Sequence, residues 1–392
     1  MDIAIIGAGA SGLAAAVTAA RAGASVTVYE HKESAANKIL ISGNGKCNFT
    51  NSSISEACYH SSTDDEGRIR RMTERFGTSE CLAFFDSIGI RPRTRKGGIY
   101  PYSDTAESVK AALLLEIRRL GVKIIYNCGK IKADSNLCLN GEKRDRIIIS
   151  CGSRVSPGTG SDGSGYEILK NAGIGLTKIY PALTPLSVET DLSGLRGVRC
   201  EAALSIKDSS GRIRASSRGE LQPYERGLSG ICAMDISAIA CRMMGDGEKA
   251  YVEADFFPEM DDLQLKAELQ RREDSFSDRN LAEQLTGLFP RKLINYLVHP
   301  IDTRRTDHID VLCKNIKHHV FELSEKMLGD FSRAQTVSGG VPMTSVDDNC
   351  MLKTCEGMYV TGELLDADGI CGGYNLHFAW MTGFLAGSHS VL

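Results

Sequence analysis

Gly7, Gly9 and Gly12 stand at G-x-G-x-x-G spacing, and Glu30 follows Gly7 by 23 positions. These residue types at this spacing suit the holding of a dinucleotide. Gly7 permits a tight turn, Gly9 lets backbone approach a pyrophosphate, and Gly12 lets a helix pack closely on a strand. A helix entered at Ala10 and Ser11 offers free N–H groups and about half a positive charge to a diphosphate. A carboxylate at Glu30, with His31 beside it, is placed to accept the hydroxyls of an adenosine ribose.

Particular elements must position those groups. Ile3 to Ile6 reads as a buried parallel strand, an alanine-rich helix follows, and Ser25 to Tyr29 is a second strand. Thr105 to Leu120 has the spacing of an amphipathic helix, and Val122 to Tyr126 and Arg146 to Ser150 read as strands. The polar stretch from Asn37 to Pro101 is too long for a plain connection and is expected to be functional. Leu186 to Phe257 alternates in short runs, the pattern of an antiparallel β module. Asp261 to Asn315 is helical in period, His319 to Leu323 returns as a strand, and α/β character resumes near Ala334. The fold class is therefore α/β: a discontinuous Rossmann-like domain at 1–185 and 334–392, an inserted β module at 186–258 and 316–333, and a helical subdomain at 259–315.

Which dinucleotide is held depends on two later segments. Met358 to Glu363 is a short apolar strand ending in Gly362-Glu363, where an acid suits the ribityl hydroxyls of a flavin. Asp366 to Ala379 joins a glycine-rich turn to a final helix. Backbone N–H groups from Gly373 through Tyr374, Asn375 and Leu376 can face the N1 and O2 edge of a flavin, where negative charge gathers on reduction. Both features select FAD over NAD. In Ser42 to Asn51, Gly43 and Gly45 remove bulk where backbone must pass close to something flat, and Asn44, Asn48 and Asn51 supply donors and acceptors.

At 392 residues the chain can bury a large core. A net charge of -3 gives no electrostatic footprint for nucleic acid or an anionic membrane. No apolar run reaches the ~18 residues of a membrane span, and the opening apolar stretch lacks a basic leader, so a cytoplasmic location is expected. Thirteen cysteines without a C-x-x-C pair point to reduced, buried hydrophobes and to no metal site. Cys350 and Cys355, five apart, precede a late strand instead of opening an early helix, which argues against a redox pair. The charged run Thr63 to Arg75 reads as a solvated helix face.

Separated motifs carry a resemblance: GAGASGLAAA at 7–16, KILISGNGKCNFTN at 38–51, CGSRVSPGTGSDGSGY at 151–166, GELQPYERGLSG at 219–230, AQTVSGGVPM at 334–343 and YVTGELLDADGICGGYNLHFAWMTG at 359–383. With these the chain resembles the bacterial NAD(P)/FAD-dependent oxidoreductases of the BaiN or aminoacetone-oxidase type, the HI0933-like flavoproteins. The resemblance implies a glutathione-reductase-like FAD domain, a β-barrel-like insert and a helical cap. It places the 38–51 loop against FAD, which makes Lys38, Ser42, Gly43, Asn44, Gly45, Cys47 and Asn48 candidates, and it adds Gly152, Gly340, Val341 and Asp368. Lys46 stands where the family usually has arginine, which removes a bidentate fork. Cys151-Gly152-Ser153 replaces Thr-Gly-Gly, and Pro223 and Tyr224 also depart from the family pattern. A second G-x-G-x-x-G at Gly158, Gly160 and Gly163 follows Pro157 with no strand leading into it; the resemblance makes it a loop near the flavin or its pocket.

The expected activity is hydride transfer through FAD on a small or medium organic substrate, with NAD(P)H as transient donor. An oxygen-dependent amine oxidase is the alternative. An RNA-modifying flavoprotein is less favoured, for want of a basic stripe interleaved with aromatic residues. Tyr100, Cys47 and His377 are the candidate acid–base groups, with His377 reading more readily as structural.

Overall fold

Ile3, Ala4, Ile5 and Ile6 are all but sealed from solvent in β1 (Asp2–Ile6), as a central strand of a parallel sheet requires. The chain turns into α1 (Ala10–Arg21) and returns as β2 (Ser25–Tyr29), parallel to β1 from Asp2↔Ser25 to Ile6↔Tyr29. The computed structural model describes all 392 residues, which divide into two units, Met1–Ile179 with Gln335–Leu392 and Tyr180–Ala334.

In the first unit the long polar stretch is built from short elements. These are α2 (Asn37–Ile41), β3 (Thr50–Asn51), β4 (Tyr59–His60), α3 (Arg68–Arg75), α4 (Thr78–Asp86), β5 (Pro92–Arg95) and β6 (Gly98–Pro101). After them come α5 (Ala106–Arg119), β7 (Lys123–Ile125), β8 (Arg146–Ile149) and α6 (Ser164–Asn171). The charged run 63–75 departs from the expected solvated face. Arg68 is buried, donating from Nη1 to the Met343 carbonyl at 2.6 Å and from Nη2 to Glu66 at 2.6 Å, and Arg71 grips both oxygens of Asp348. Those acceptors, Glu66 excepted, lie more than 270 positions away, beyond the reach of local periodicity.

In the second unit six strands pair antiparallel: β9 (Leu186–Ser187), β10 (Cys200–Asp208), β11 (Ile213–Tyr224), β12 (Gly227–Ser229), β13 (Ala250–Asp255) and β14 (His319–Glu322), in the order β9-β12-β11-β10-β13-β14. Val188 bridges Leu323 and the Ser324 N–H donates to the Ser187 carbonyl at 2.9 Å, so the outer strands meet and the sheet closes as a barrel without a free edge. Alternating burial along β13 turns Ala250, Val252 and Ala254 inward. Between strands lie α7 (Ile231–Asp235), α8 (Ser237–Gly245), α9 (Asp262–Ser275), α10 (Leu281–Gln284), α11 (Arg291–Val298) and α12 (His308–Lys317). Asp261 and Gln264 cap α9 reciprocally, and the apolar residues Leu265, Leu269, Leu293 and Leu312 join the barrel's own core.

The chain then completes the first unit. β15 (Met358–Val360) gives an all-parallel order β15-β8-β1-β2-β7, and β16 (Asp368–Gly369) pairs with β4. The last helix, α13 (Tyr374–His389), lies along α1 with backbone nearly touching backbone. A Cβ at Gly383 would stand 2.2 Å from the Ser11 carbonyl oxygen, and one at Gly387 2.6 Å from that of Ala15.

Candidate functional site

Crowding and openness alternate along the glycine fingerprint. A Cβ at Gly7 would lie 2.5 Å from the Ser150 carbonyl oxygen and one at Gly12 2.0 Å from that of Gly7, whereas Gly9 has nothing within 4 Å of such an atom. Helix and strand are thus in contact where they must pack, and the approach is free where a pyrophosphate would lie. Gly9 brings no side chain to cap the first turn at Ala10 and Ser11, which leaves those N–H groups to an anion. Glu30 is buried at the tip of β2, its Oε2 accepting from the Ala8 N–H and its Oε1 from the Lys32 N–H, both at 2.9 Å. Each oxygen keeps a lone pair for a hydroxyl. His31 stands 3.6 Å from Glu30 and 3.7 Å from Asp162, and Gly160 packs on its ring. The second glycine motif therefore sits at the Glu30 end of the sheet, a finer placement than the resemblance offered.

The beginning and the close of the chain meet at Gly362, where a Cβ would be 2.8 Å from the Ser11 hydroxyl. The next residue, Glu363, takes both hydrogen bonds of the Lys38 ammonium, at 2.7 and 2.9 Å, and one from the Ser153 hydroxyl at 2.8 Å. Gly152 precedes that serine and faces Ser161. Val341 is fully buried, its N–H on the Leu364 carbonyl at 2.7 Å, and Gly340 leaves no room for a side chain against the same carbonyl.

A second meeting point is the amide of Asn48. A Cβ at Gly98 would stand 2.9 Å from both amide atoms and one at Gly373 3.0 Å from Oδ1, while one at Gly43 would meet the Asn48 backbone nitrogen at 2.7 Å. That Oδ1 is buried and has no hydrogen-bond partner. A buried acceptor left so costs about 1–3 kcal/mol, which a planar ligand with an N–H at this point would relieve. Ser42 donates to the Ile39 carbonyl at 2.6 Å, and Asn44 and Gly45 stay exposed, Asn44 with φ of 54°. Gly373 caps α13 without a side chain. Asn375 is committed elsewhere: its amide exchanges two bonds with Gly369, at 2.9 and 2.8 Å, so only its backbone faces outward with that of half-buried Leu376. Tyr374 meets Tyr59 edge-on, and Asp368 is buried with His60 Nδ1 3.4 Å away.

The three acid–base candidates differ sharply. His377 is fully buried with Nδ1 2.8 Å from the Thr50 hydroxyl and Nε2 3.1 Å from the Phe76 carbonyl. A carbonyl only accepts, so Nε2 carries the hydrogen and Thr50 donates to Nδ1. Burial lowers its pKa to about 4, and the ring is a neutral tie between β3, the end of α3 and α13. Cys47 is buried too, its thiol pushed up to about 12 by desolvation, which removes thiolate chemistry. Tyr100 is half-buried, its ring edge against Gly98, and is the one member with access to solvent. Sequence reasoning missed Thr50 and Ser153; nothing but their place beside Asn51 and Gly152 singled them out.

The chain matches the family of HI0933-like proteins with a Rossmann domain over residues 1–389. It is 37% identical to a 3-dehydro-bile acid delta(4,6)-reductase of Clostridium scindens, with 98% of each chain covered. The chain belongs to this family. A ribosomal RNA dihydrouridine synthase of Haemophilus influenzae is 27% identical over 97% of this chain and 96% of its own. A solved structure, the 3-ketosteroid-delta4-(5alpha)-dehydrogenase of Rhodococcus jostii RHA1, shares the fold with a TM-score of 0.51 at 14% identity, covering 100% of this chain and 96% of that one. As an HI0933-like flavoprotein the chain is an FAD-dependent oxidoreductase built on a Rossmann-type domain. No helix is long and apolar enough to cross a membrane.

Proposed function

We propose that this HI0933-like flavoprotein reduces an activated carbon–carbon double bond in a small or medium organic substrate, drawing electrons from NAD(P)H. The observation that carries the reading is the buried, partnerless Oδ1 of Asn48, with Gly98 and Gly373 packed close against that amide, an acceptor free for an N–H of a bound ring. FAD would be held by Gly9, Ala10 and Ser11 at its pyrophosphate, by Glu30 at its ribose, by Lys38 and Glu363 along its ribityl chain, and by Asn48 with the start of α13 at its ring. Bound there, it supplies hydride transfer. The uncapped N-termini of α1 and α13 each favour negative charge, the first a phosphate and the second an electron-rich ring edge. The Lys38–Glu363 pair fixes a carboxylate between those two ends. Tyr100, the half-buried phenol, would give a proton to a substrate carbon, and His377 and Cys47 hold the loop that carries Asn48.

The direction of reaction rests on the relatives: a delta(4,6)-reductase and a dihydrouridine synthase are both named for saturating a double bond. Anaerobic mixing of the yellow protein with NADH or NADPH should bleach the flavin, and a conjugated enone should restore its colour. Bleaching by an amine alone, with oxygen as the acceptor, would replace the reductase with an oxidase. Protein that folds yet takes up no FAD would end both readings. The rRNA-modifying relatives keep an RNA substrate as the second reading, checked by dihydrouridine content of ribosomal RNA incubated with enzyme and NADPH.

A further inference from the structure

The hairpin of β5 and β6 is joined by Lys96 and Gly97, both at positive φ (47° and 85°), the signature of a tight two-residue turn. Its register pairs Arg93 with Tyr100 and Arg95 with Gly98, and the Tyr102 N–H bonds the Arg91 carbonyl at 2.7 Å. Opposed residues share a face, as do residues two apart, so Arg91, Arg93, Arg95, Tyr100 and Tyr102 line one side. The other side carries Ile99, which is buried in the core. The sequence read as lacking a basic stripe interleaved with aromatics; pairing of two strands assembles one.

Three features give this face a ligand's chemistry. Arg93 stacks over the Tyr102 ring at 4.2 Å, and Tyr102 remains 60% exposed. Asp104 ties Arg93 and Arg95 together, at 3.2 Å for the first, holding two guanidinium forks side by side. From Arg91 to Asp104 four cationic side chains stand against that single carboxylate. The face also runs directly into the candidate flavin site. The missing Cβ of Gly98, on the same side as Arg95, would stand 2.9 Å from the Asn48 amide and 3.1 Å from the Tyr100 ring.

We propose that the Arg91–Tyr102 face docks the nucleoside-phosphate portion of the reactant that meets the flavin. Guanidinium forks match phosphate oxygens two by two, and tyrosine rings stack on a base. The ligand is the nucleoside diphosphate group of the hydride donor NAD(P)H that the proposed function calls for. An RNA binder spreads its contacts over many phosphates. One hairpin with three arginines, on a chain of net charge -3, fits a ligand of two or three phosphates. The inference rests on the flavin reading above, because Asn48 is what joins the face to the reacting centre.

The test uses FAD-saturated enzyme, so that the adenosine site is filled, with ADP, NADPH, coenzyme A and inorganic pyrophosphate as calorimetric probes. ADP binds, and Arg93→Gln with Arg95→Gln weakens it about tenfold or more and flattens its salt dependence. Tyr102→Leu weakens ADP and leaves pyrophosphate unchanged, separating base from phosphate in a variant whose altered side chain is exposed. NADPH binds and coenzyme A does not; coenzyme A binding in place of NADPH overturns the assignment to the donor. No phosphate probe binding, binding indifferent to the arginine pair, or binding of ribosomal RNA alone overturns the proposal. Retained yellow colour in those cases leaves the flavin reading standing, whereas protein that stays colourless in excess FAD fails the flavin reading and with it the link between this face and a reacting centre, even where ADP still binds through Arg93 and Arg95.

Discussion

One sealed imidazole should make this protein acid-sensitive. His377 is sealed between Thr50 and Phe76, and burial lowers its pKa from 6.5 to about 4. The unfolded chain takes up the proton first. The folded state's advantage is therefore complete above pH ~6.5, falls as pH drops toward 4, and changes no further below it. A drop of that size corresponds to about 3 kcal/mol, a large fraction of the ~5–15 kcal/mol that holds a domain together. The assay is urea unfolding at steps between pH 7 and 4 for the wild type and His377→Asn. At pH 7 the variant should be about 1–3 kcal/mol weaker, because the Thr50 hydroxyl and Phe76 carbonyl lose a partner. The gap should close as pH falls, since only the wild type has a proton to avoid. Carboxylates such as Glu116, held near 2 by Arg119 and Arg21, titrate in both proteins and cancel. A gap constant across pH, or an imidazole titrating near 6.5 by NMR, would refute the reasoning.

Four further outcomes are expected. Gly373→Ala forces a side chain onto φ of 94° and to within 2.8 Å of the Thr50 carbonyl, and should weaken FAD binding about tenfold or more, read by flavin released on dialysis. Tyr100→Phe should leave reduction by the nucleotide intact and slow substrate reduction by about a hundredfold or more, seen as separate half-reactions in stopped flow. Cys47→Ser should keep flavin reduction within about twofold, as a thiol at about 12 contributes no thiolate. Lys38→Met should cost about 1 kcal/mol in urea unfolding, because the Glu363 pair is only partly buried.

The fingerprint was legible because its physics is local: three glycines and an acid act over one strand, one helix and the next strand. The antiparallel β module was legible as alternation; that it closes on itself was implied only by the resemblance, and the contact through Val188 and Leu323 joins strands too far apart in sequence for alternation to show. Asn48 was visible as an amide in a glycine-rich loop, but its role as the point where Gly98 and Gly373 converge depends on segments 275 positions apart. Arg68 shows the same limit, since a buried guanidinium and a solvated one look alike until Met343 arrives. Asn375 shows the reverse, a polar side chain that invites a ligand and instead closes its own turn on Gly369.

The backbone contact between α1 and α13 joins segments more than 350 positions apart, one made well before the other. While residues 374–389 are still unmade, β1 already has β2 and β8 to pair with, but α1 lacks the helix that packs along it. Many stabilising contacts of this unit span nearly the whole chain, a topology that folds slowly. The close packing of α1 is therefore complete only once Gly383 and Gly387 have been made and folded back onto Ser11 and Ala15.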